Sequence, residues 1–206
     1  MNQALSSKLI QAVGVASLAA SVSASAASQT ARSAPAPTAT PQLSSSDAAA
    51  VAEFMKRVND YVAIHVDAEK ASPKLPVEAT PLQIDQTQRS LATRIQSARA
   101  GARRGDIFTP EMTAIIRRVL NRVFSGPDGT QLRSSIMDEN VEYIALKANQ
   151  RYPDAYPRTT MPPDVLKALP ELPEEMEYRF VGRQLILLDQ HAHIIPDFIP
   201  DALPGK

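Results

Sequence analysis

Prolines recur throughout the segment YPDAYPRTTMPPDVLKALPELPEE, which covers residues 152 to 175. Proline fixes its own backbone angle and has no amide donor, so neither a long helix nor a central strand can cross this segment. The chain on each side of it must therefore form separate regular elements. Helical patterns precede the segment and short β-type runs follow it, which predicts an α+β fold.

Four helices are predicted before the proline-rich segment. The first begins at about Asp47 with Ser46 as its cap, because apolar residues then recur at spacings of three and four. The sequences TPLQ and TPEM, which start at Thr80 and Thr109, each combine a threonine cap with proline in the first helical position. They predict the second and third helices, and TQLRSSIMDE predicts a shorter fourth one.

Two short apolar runs near the C-terminal end predict a β-hairpin. They cover residues 178–181 and 185–188, and Gly182 and Arg183 between them fit a two-residue turn. A third run, 194–199, is expected to pair with the second.

The expected pairing of the third run places Leu188 opposite Ile195 and leaves His191 in the connecting turn. Pro196 has no amide donor, so it makes the third strand an edge strand or ends its pairing early.

The predicted organisation has three parts. Residues 1–27 have the basic start, apolar middle and small-residue end of a secretory signal peptide. Residues 28–46 are small, polar and rich in proline, which predicts a disordered tether. Residues 47–206 are predicted to form a single mature domain, with a bundle of three or four helices over 47–139, an irregular proline-rich wrap over 140–173 and a small C-terminal antiparallel β-meander over 174–200.

The predicted location is periplasmic or secreted. The apolar part of the signal is short for a membrane span, so we expect cleavage and no retained transmembrane helix.

The chain has no cysteine, which excludes a disulfide framework and a thiolate nucleophile.

Two of the three histidines, His191 and His193, lie close to Asp189 in the sequence. A zinc site needs three or four protein ligands and a second shell that orients each imidazole. Two imidazoles on a turn do not meet that requirement. His65, on the apolar face of the first helix, is typical of a buried and hydrogen-bonded side chain. We therefore predict no metal site and no cofactor.

The alternative is a small metal-binding protein or metal-dependent hydrolase that uses His191, His193 and His65. This alternative requires His65 to lie within a few ångströms of the turn, because otherwise too few ligands converge.

Other catalytic patterns are weaker. Ser134 or Ser135 with a histidine and Asp189 would complete a triad, but LRSSIMD lacks the Gly-x-Ser-x-Gly turn that exposes a nucleophile. The glutamates of 174–177 are more typical of a solvated charge run than of a glycosidase pair. We predict no catalytic residue.

Eight arginines lie in residues 86–125, although the whole chain is balanced with 22 basic and 22 acidic residues. Guanidinium groups bind phosphates and carboxylates, so these arginines either pair with the acidic C-terminal half or bind an external anion. No nucleic acid is expected, because aromatic residues are not interleaved with the arginines. The residues expected to bind an anionic envelope component or an acidic protein are Arg99, Arg103, Arg104, Arg117 and Arg118. The preferred function is a non-enzymatic binding or structural role in the cell envelope.

Five segments of the chain together resemble an uncharacterised family of exported bacterial proteins of about this length. The segments are ARAGARRGDIFTPE, GPDG, IMDEN, YPD and LPELPEEMEYRFVGRQLILLDQHAHIIPDFIPDALP. The resemblance covers most of the predicted mature chain, and Tyr-Arg-Phe-Val-Gly to Asp-Phe-Ile is its most specific part. It implies export, and it brings no activity, cofactor or catalytic residue.

Overall fold

The computed structural model describes residues 44–140 and 144–205, which form an α+β fold as predicted. The predicted signal peptide and the predicted tether up to residue 43 lie outside the described residues. The helices are α1 (Ser45–Lys70), α2 (Pro81–Ala98), α3 (Pro110–Phe124), α4 (Gly129–Asp138) and α5 (Pro163–Ala168). The strands are β1 (Gln150–Arg151), β2 (Met176–Val181), β3 (Gln184–Asp189), β4 (Ile194–Ile195) and β5 (Phe198–Ile199). In this part of the chain, none of the helices has both the length and the hydropathy that a membrane span needs.

The predicted start is confirmed for α2 and differs from the structure for α1. At α2 the predicted capping box is present: the Thr80 hydroxyl accepts from the Gln83 amide at 3.3 Å, and the Gln83 side chain accepts from the Thr80 amide at 2.8 Å. At α1 the prediction of Ser46 as the cap was wrong by two residues. The cap is Ser44, whose hydroxyl accepts from the Asp47 amide at 3.1 Å. Three consecutive serines offer the same cap chemistry, so the sequence alone did not select one of them.

The largest apolar cluster lies between the helices and one face of the sheet. The strand order in the sheet is β1-β4-β3-β2, and β5 also pairs with β3. The cluster takes residues from α1, α2, α3 and the strands, among them Phe54, Tyr61, Ile95, Met112, Ile116, Leu120, Phe180, Leu185 and Leu187.

Strand β3 is buried along its whole length, because both of its faces are covered. Leu185 and Leu187 belong to the helical cluster, whereas Ile186 and Leu188 belong to a second, smaller cluster. The proline-rich wrap was expected to lie over the helices. Its first part instead covers the outer face of the sheet and completes the second cluster with Ile144, Leu146, Tyr152 and Tyr156. Full burial of one large apolar side chain stabilises the folded state by about 1.5–3 kcal/mol relative to leaving it exposed.

The predicted hairpin is confirmed, and Gly182 in its turn has a positive φ of 57°, which favours glycine. The third run, expected as one strand over 194–199, is divided into β4 and β5. Asp189 pairs with Ile194, in the predicted register, but Leu185 pairs with Ile199, one residue out of that register. The shift falls at Pro196, which cannot donate to the ladder, so the strand bulges there.

Asp197, directly after Pro196, is a fully buried carboxylate that accepts only backbone amides among the described residues. Its oxygens accept from Gly105 at 3.0 and 3.1 Å, and from Ile107, Phe108 and Phe198 at 2.8 Å each. Three of these amides belong to the connection between α2 and α3. The bulge therefore holds that connection against the sheet.

We expect Asp197→Asn to lower the free energy of unfolding by about 2–4 kcal/mol, because an amide offers one acceptor and turns a donor toward backbone N–H groups. Urea unfolding followed by circular dichroism measures this change. The matched control is Asp201→Asn at an exposed position with positive φ of 45°, which asparagine tolerates. Similar losses in the two variants would contradict the role given to Asp197.

Gly129, the first residue of α4, approaches the end of α3 too closely for a side chain. A Cβ at this position would lie 2.0 Å from the carbonyl oxygen of Phe124. We expect Gly129→Ala to cost about 2 kcal/mol or more in unfolding free energy, because the obstacle is backbone. Gly101→Ala is the control, since a Cβ there has no heavy atom within 4 Å. A Gly129→Ala protein as stable as the Gly101→Ala protein would refute this account.

Candidate functional site

The candidate site is built around Asp189, the last residue of β3, which is fully buried. One carboxylate oxygen, Oδ2, accepts from the Tyr61 hydroxyl at 2.7 Å and from His65 Nδ1 at 2.6 Å. The other, Oδ1, accepts from the amides of His191 at 3.0 Å and Ala192 at 2.8 Å. A single side chain thus connects α1 to the turn between β3 and β4.

The periodicity of α1 and the register of the sheet bring these groups together. Tyr61 and His65 are four residues apart, so both project from the buried face of α1. Asp189 pairs with Ile194, which leaves residues 190–193 to form the turn that its Oδ1 atom stabilises.

Asp189 fixes the orientation of the His65 ring. A carboxylate only accepts hydrogen bonds, so Nδ1 of His65 carries the proton and, in the neutral ring, Nε2 carries the lone pair. Burial lowers the pKa of His65, but the hydrogen bond and the charge of Asp189, with smaller effects of Glu69 and Glu175, raise it overall. Burial, and then the charge and hydrogen bond of Asp189, raise the pKa of Tyr61 well above its usual value, so Tyr61 stays a donor.

The other ring nitrogen of His65, Nε2, is buried and has no hydrogen-bond partner among the described residues. Its nearest charged neighbour is Oε2 of Glu69, one helical turn further along α1, at 3.9 Å. That distance is too long for a hydrogen bond. Nε2 is therefore an imidazole nitrogen with a fixed orientation and a free lone pair in the neutral ring, which is the form that binds metals.

Glu69 and His191 complete a group of three metal-ligand side chains with His65. Oε1 of Glu69 lies 3.7 Å from Nδ1 of His191, and the His65 and His191 rings are 5.4 Å apart between centroids. One ligand atom from each residue lies within 4.8 Å of the others.

These distances are close to those of a metal centre. In a tetrahedral zinc site with nitrogen and oxygen ligands, neighbouring ligand atoms are about 3.4 Å apart. The distances from Glu69 to His65 and to His191 exceed it by roughly half an ångström. All three ligand atoms lie within 4.8 Å of one another, so the widest approach needed is at most about 1.4 Å. Glu69 and His191 have side chains that are 55% and 53% exposed, so both have room to rotate.

The structure meets the geometric condition of the metal alternative, with a changed ligand set. His65 and His191 converge, whereas Asp189 lies behind His65 as its hydrogen-bond partner. His193 lies outside the group of ligand atoms, with a positive φ of 52°. Burial, and then the charges of arginines, lower its pKa. Sequence reasoning missed Glu69, although HVDAE in a predicted helix has the i, i+4 spacing that places His65 and Glu69 on one face.

The catalytic triad considered for the serines is not formed among the described residues, and Glu177 of the glutamate run pairs with Arg179 at 2.6 Å. The described hydrogen bonds of Asp189 go to Tyr61, His65 and two backbone amides, and none goes to a serine. Ser134 and Ser135 are exposed on α4.

The arginine-rich helices contact the C-terminal half both through its carbonyl groups and through a carboxylate, since Arg89 of α2 donates to Asp154 at 2.9 Å. Three arginines donate to its carbonyl groups: Arg99 to that of Pro196, Arg117 to that of Pro200, and Arg133 of α4 to that of Pro204. The prediction left open whether these helices face the acidic half or solvent. Both cases occur: Arg99 and Arg117 contact the C-terminal half, whereas Arg103 is exposed.

The remaining arginines of the predicted anion-binding set point to different surroundings. Arg118 pairs with Asp47 at 2.7 Å, and Arg104 lies over the Phe198 ring at 5.9 Å. Arg103 is exposed. Arg104 and Arg117 line a common cleft, but the five arginines as a set do not form one pocket.

The buried hydroxyls of two tyrosines allow a matched test of the Asp189 network. The Tyr61 hydroxyl donates to Asp189, whereas the Tyr178 hydroxyl has no partner among the described residues. We expect Tyr61→Phe to lower the free energy of unfolding by about 1.5–3 kcal/mol, since a bond to a charged acceptor is lost. Tyr178→Phe is expected to leave it unchanged or to raise it. Urea unfolding in the presence of a chelator measures both, and equal effects would argue against the network.

Comparisons of the chain with protein-family models, with curated proteins and with solved structures find no match. The resemblance to an exported bacterial family therefore stays a prediction.

Proposed function

We propose that the protein binds a divalent transition metal, such as Zn²⁺, through His65, Glu69 and His191. Asp189 is the carboxylate that orients His65, an arrangement that commonly accompanies metal-ligating histidines. The observation that carries the proposal is the buried Nε2 atom of His65, which is oriented by Asp189 and has no hydrogen-bond partner in the described part of the chain.

A plain cluster of ion pairs accounts less well for this geometry. Leaving a buried polar atom without a partner costs about 1–3 kcal/mol. Glu69 is one turn away on the same helix and does not come within hydrogen-bond distance of Nε2. A metal between Nε2 of His65, the Glu69 carboxylate and His191 gives all three groups a partner.

Two imidazoles and one carboxylate suit zinc, cobalt, nickel and copper better than calcium or magnesium. Three protein ligands leave a coordination position for water or a small molecule, as in catalytic zinc sites. A metal in such a site polarises a bound carbonyl or lowers the pKa of bound water.

The proposal develops the metal-binding alternative, with Glu69 as a ligand in place of His193. We also retain export as part of the proposal, on the basis of the signal-like residues 1–27. The proposal keeps the predicted periplasmic or secreted location and replaces the predicted anionic partner with a metal.

The test is zinc binding to the untagged full chain, measured by competition with a chromophoric chelator, with Co²⁺ absorption as a second readout. We expect one zinc per chain. His191→Asn and Glu69→Gln are expected to reduce the affinity by more than about 100-fold, and Asp189→Asn by about 10- to 100-fold, the range seen for outer-shell partners.

The matched control is His193→Asn in the same turn, since asparagine tolerates the left-handed backbone of that position. It is expected to keep zinc affinity within about twofold, because His193 lies outside the ligand group. Loss of affinity equal to that of His191→Asn would place the metal on the His-x-His pair instead. Absence of stoichiometric zinc binding would refute the proposal.

A further inference from the structure

A groove of about 520 Å³ lies beside the candidate metal site. It is formed by the end of α1, the connection to α2 and the side of α2, and we call it the α1–α2 groove. Its lining includes the apolar Val66, Leu75 and Leu91 and the charged Glu69, Lys70 and Lys74.

Glu69 joins the groove to the proposed metal site. Its side chain supplies one of the three ligand atoms and also lines the groove. A molecule that binds the open coordination position therefore has the groove immediately next to it.

The groove is matched to a ligand with an anionic head. Its charged lining residues are Glu69, Lys70 and Lys74. Binding of a divalent metal neutralises the Glu69 charge, so the two lysines and the metal then favour an anion. Asp67 lies 3.5 Å from Lys70, but both side chains are more than 70% exposed, and such a pair contributes little.

The remainder of the ligand is expected to be apolar. Val66, Leu75 and Leu91 line the groove, and Leu75 is 42% exposed. Five large hydrophobic residues are exposed in the described part of the chain, and four of them lie within residues 75–84. Of these four, Leu75 lines the groove, and exposed apolar surface in a groove is typical of a binding site.

We propose that the α1–α2 groove binds the apolar chain of a small organic acid whose acidic head is a ligand of the metal. This inference rests on the proposed metal function and adds the chemical class of the ligand. Leu75 determines chain preference through contact with the apolar part, and the metal determines head-group preference.

The probes are acetohydroxamate and octanohydroxamate, which share a metal-binding head and differ in chain length. Their affinities are measured by calorimetry on the zinc-loaded full chain. Each methylene that leaves water raises affinity by about fourfold, so we expect the longer probe to bind at least about tenfold more tightly. Removal of zinc is expected to weaken its binding by at least about tenfold.

The groove variant is Leu75→Ser and its control is Leu166→Ser, since the two leucines are 42% and 44% exposed and line different grooves. We expect the chain-length preference to fall several-fold in Leu75→Ser and to be unchanged in Leu166→Ser. Equal affinity of the two probes in the wild type, or an equal effect of the two variants, would overturn the groove proposal. Undiminished octanohydroxamate binding without zinc would overturn the metal-bound head.

Zinc affinity is measured for each protein before the probes are added. Failure to bind zinc would overturn both proposals, whereas zinc binding without a chain-length preference would overturn the groove proposal alone. A preference that depends on Leu75 and on zinc would support both.

Discussion

The buried carboxylate of Asp189 is the interaction on which the arrangement of α1 and the β3–β4 turn depends. It accepts from two side chains of α1 and from two amides of the turn, so both its oxygens are fully used. A buried charge is stable only when it is compensated by such bonds. Loss of the donors from α1 or of those from the turn would leave the buried charge poorly compensated. The packing of α1 and the shape of the turn are therefore coupled.

Asp197 is a second buried carboxylate that joins the sheet to the helices, here through the bulge between β4 and β5. β4 and β5 have two residues each, too few to hold the C-terminal segment by ladder bonds alone. Asp197 accepts amides of the α2–α3 connection, and arginines from three helical regions donate to carbonyls of Pro196, Pro200 and Pro204. Polar contacts between side chains and backbone thus replace regular sheet pairing in this part of the fold.

The same Asp189 contact gives the candidate site its chemical character. It fixes the His65 ring on one side, and the opposite nitrogen then faces Glu69 and the turn. One hydrogen bond therefore both orients the His65 ring and contributes to the stability of the fold. Loss of the orienting carboxylate would also loosen the contact between helix and sheet, so the proposed metal affinity and the stability are expected to fall together.

The sequence by itself determined the elements whose causes are local: the Thr80 capping box, the Gly182 turn and the break at Pro196 each depend on a few neighbouring residues. The spacing of His65 and Glu69 was also readable, since both lie on one helix. Only the tertiary structure decided that His191 lies beside them. His191 is held in the turn by Asp189, and Asp189 is 124 positions from its partner His65. Their contact follows from the packing of α1 on the sheet, and no local pattern encodes it.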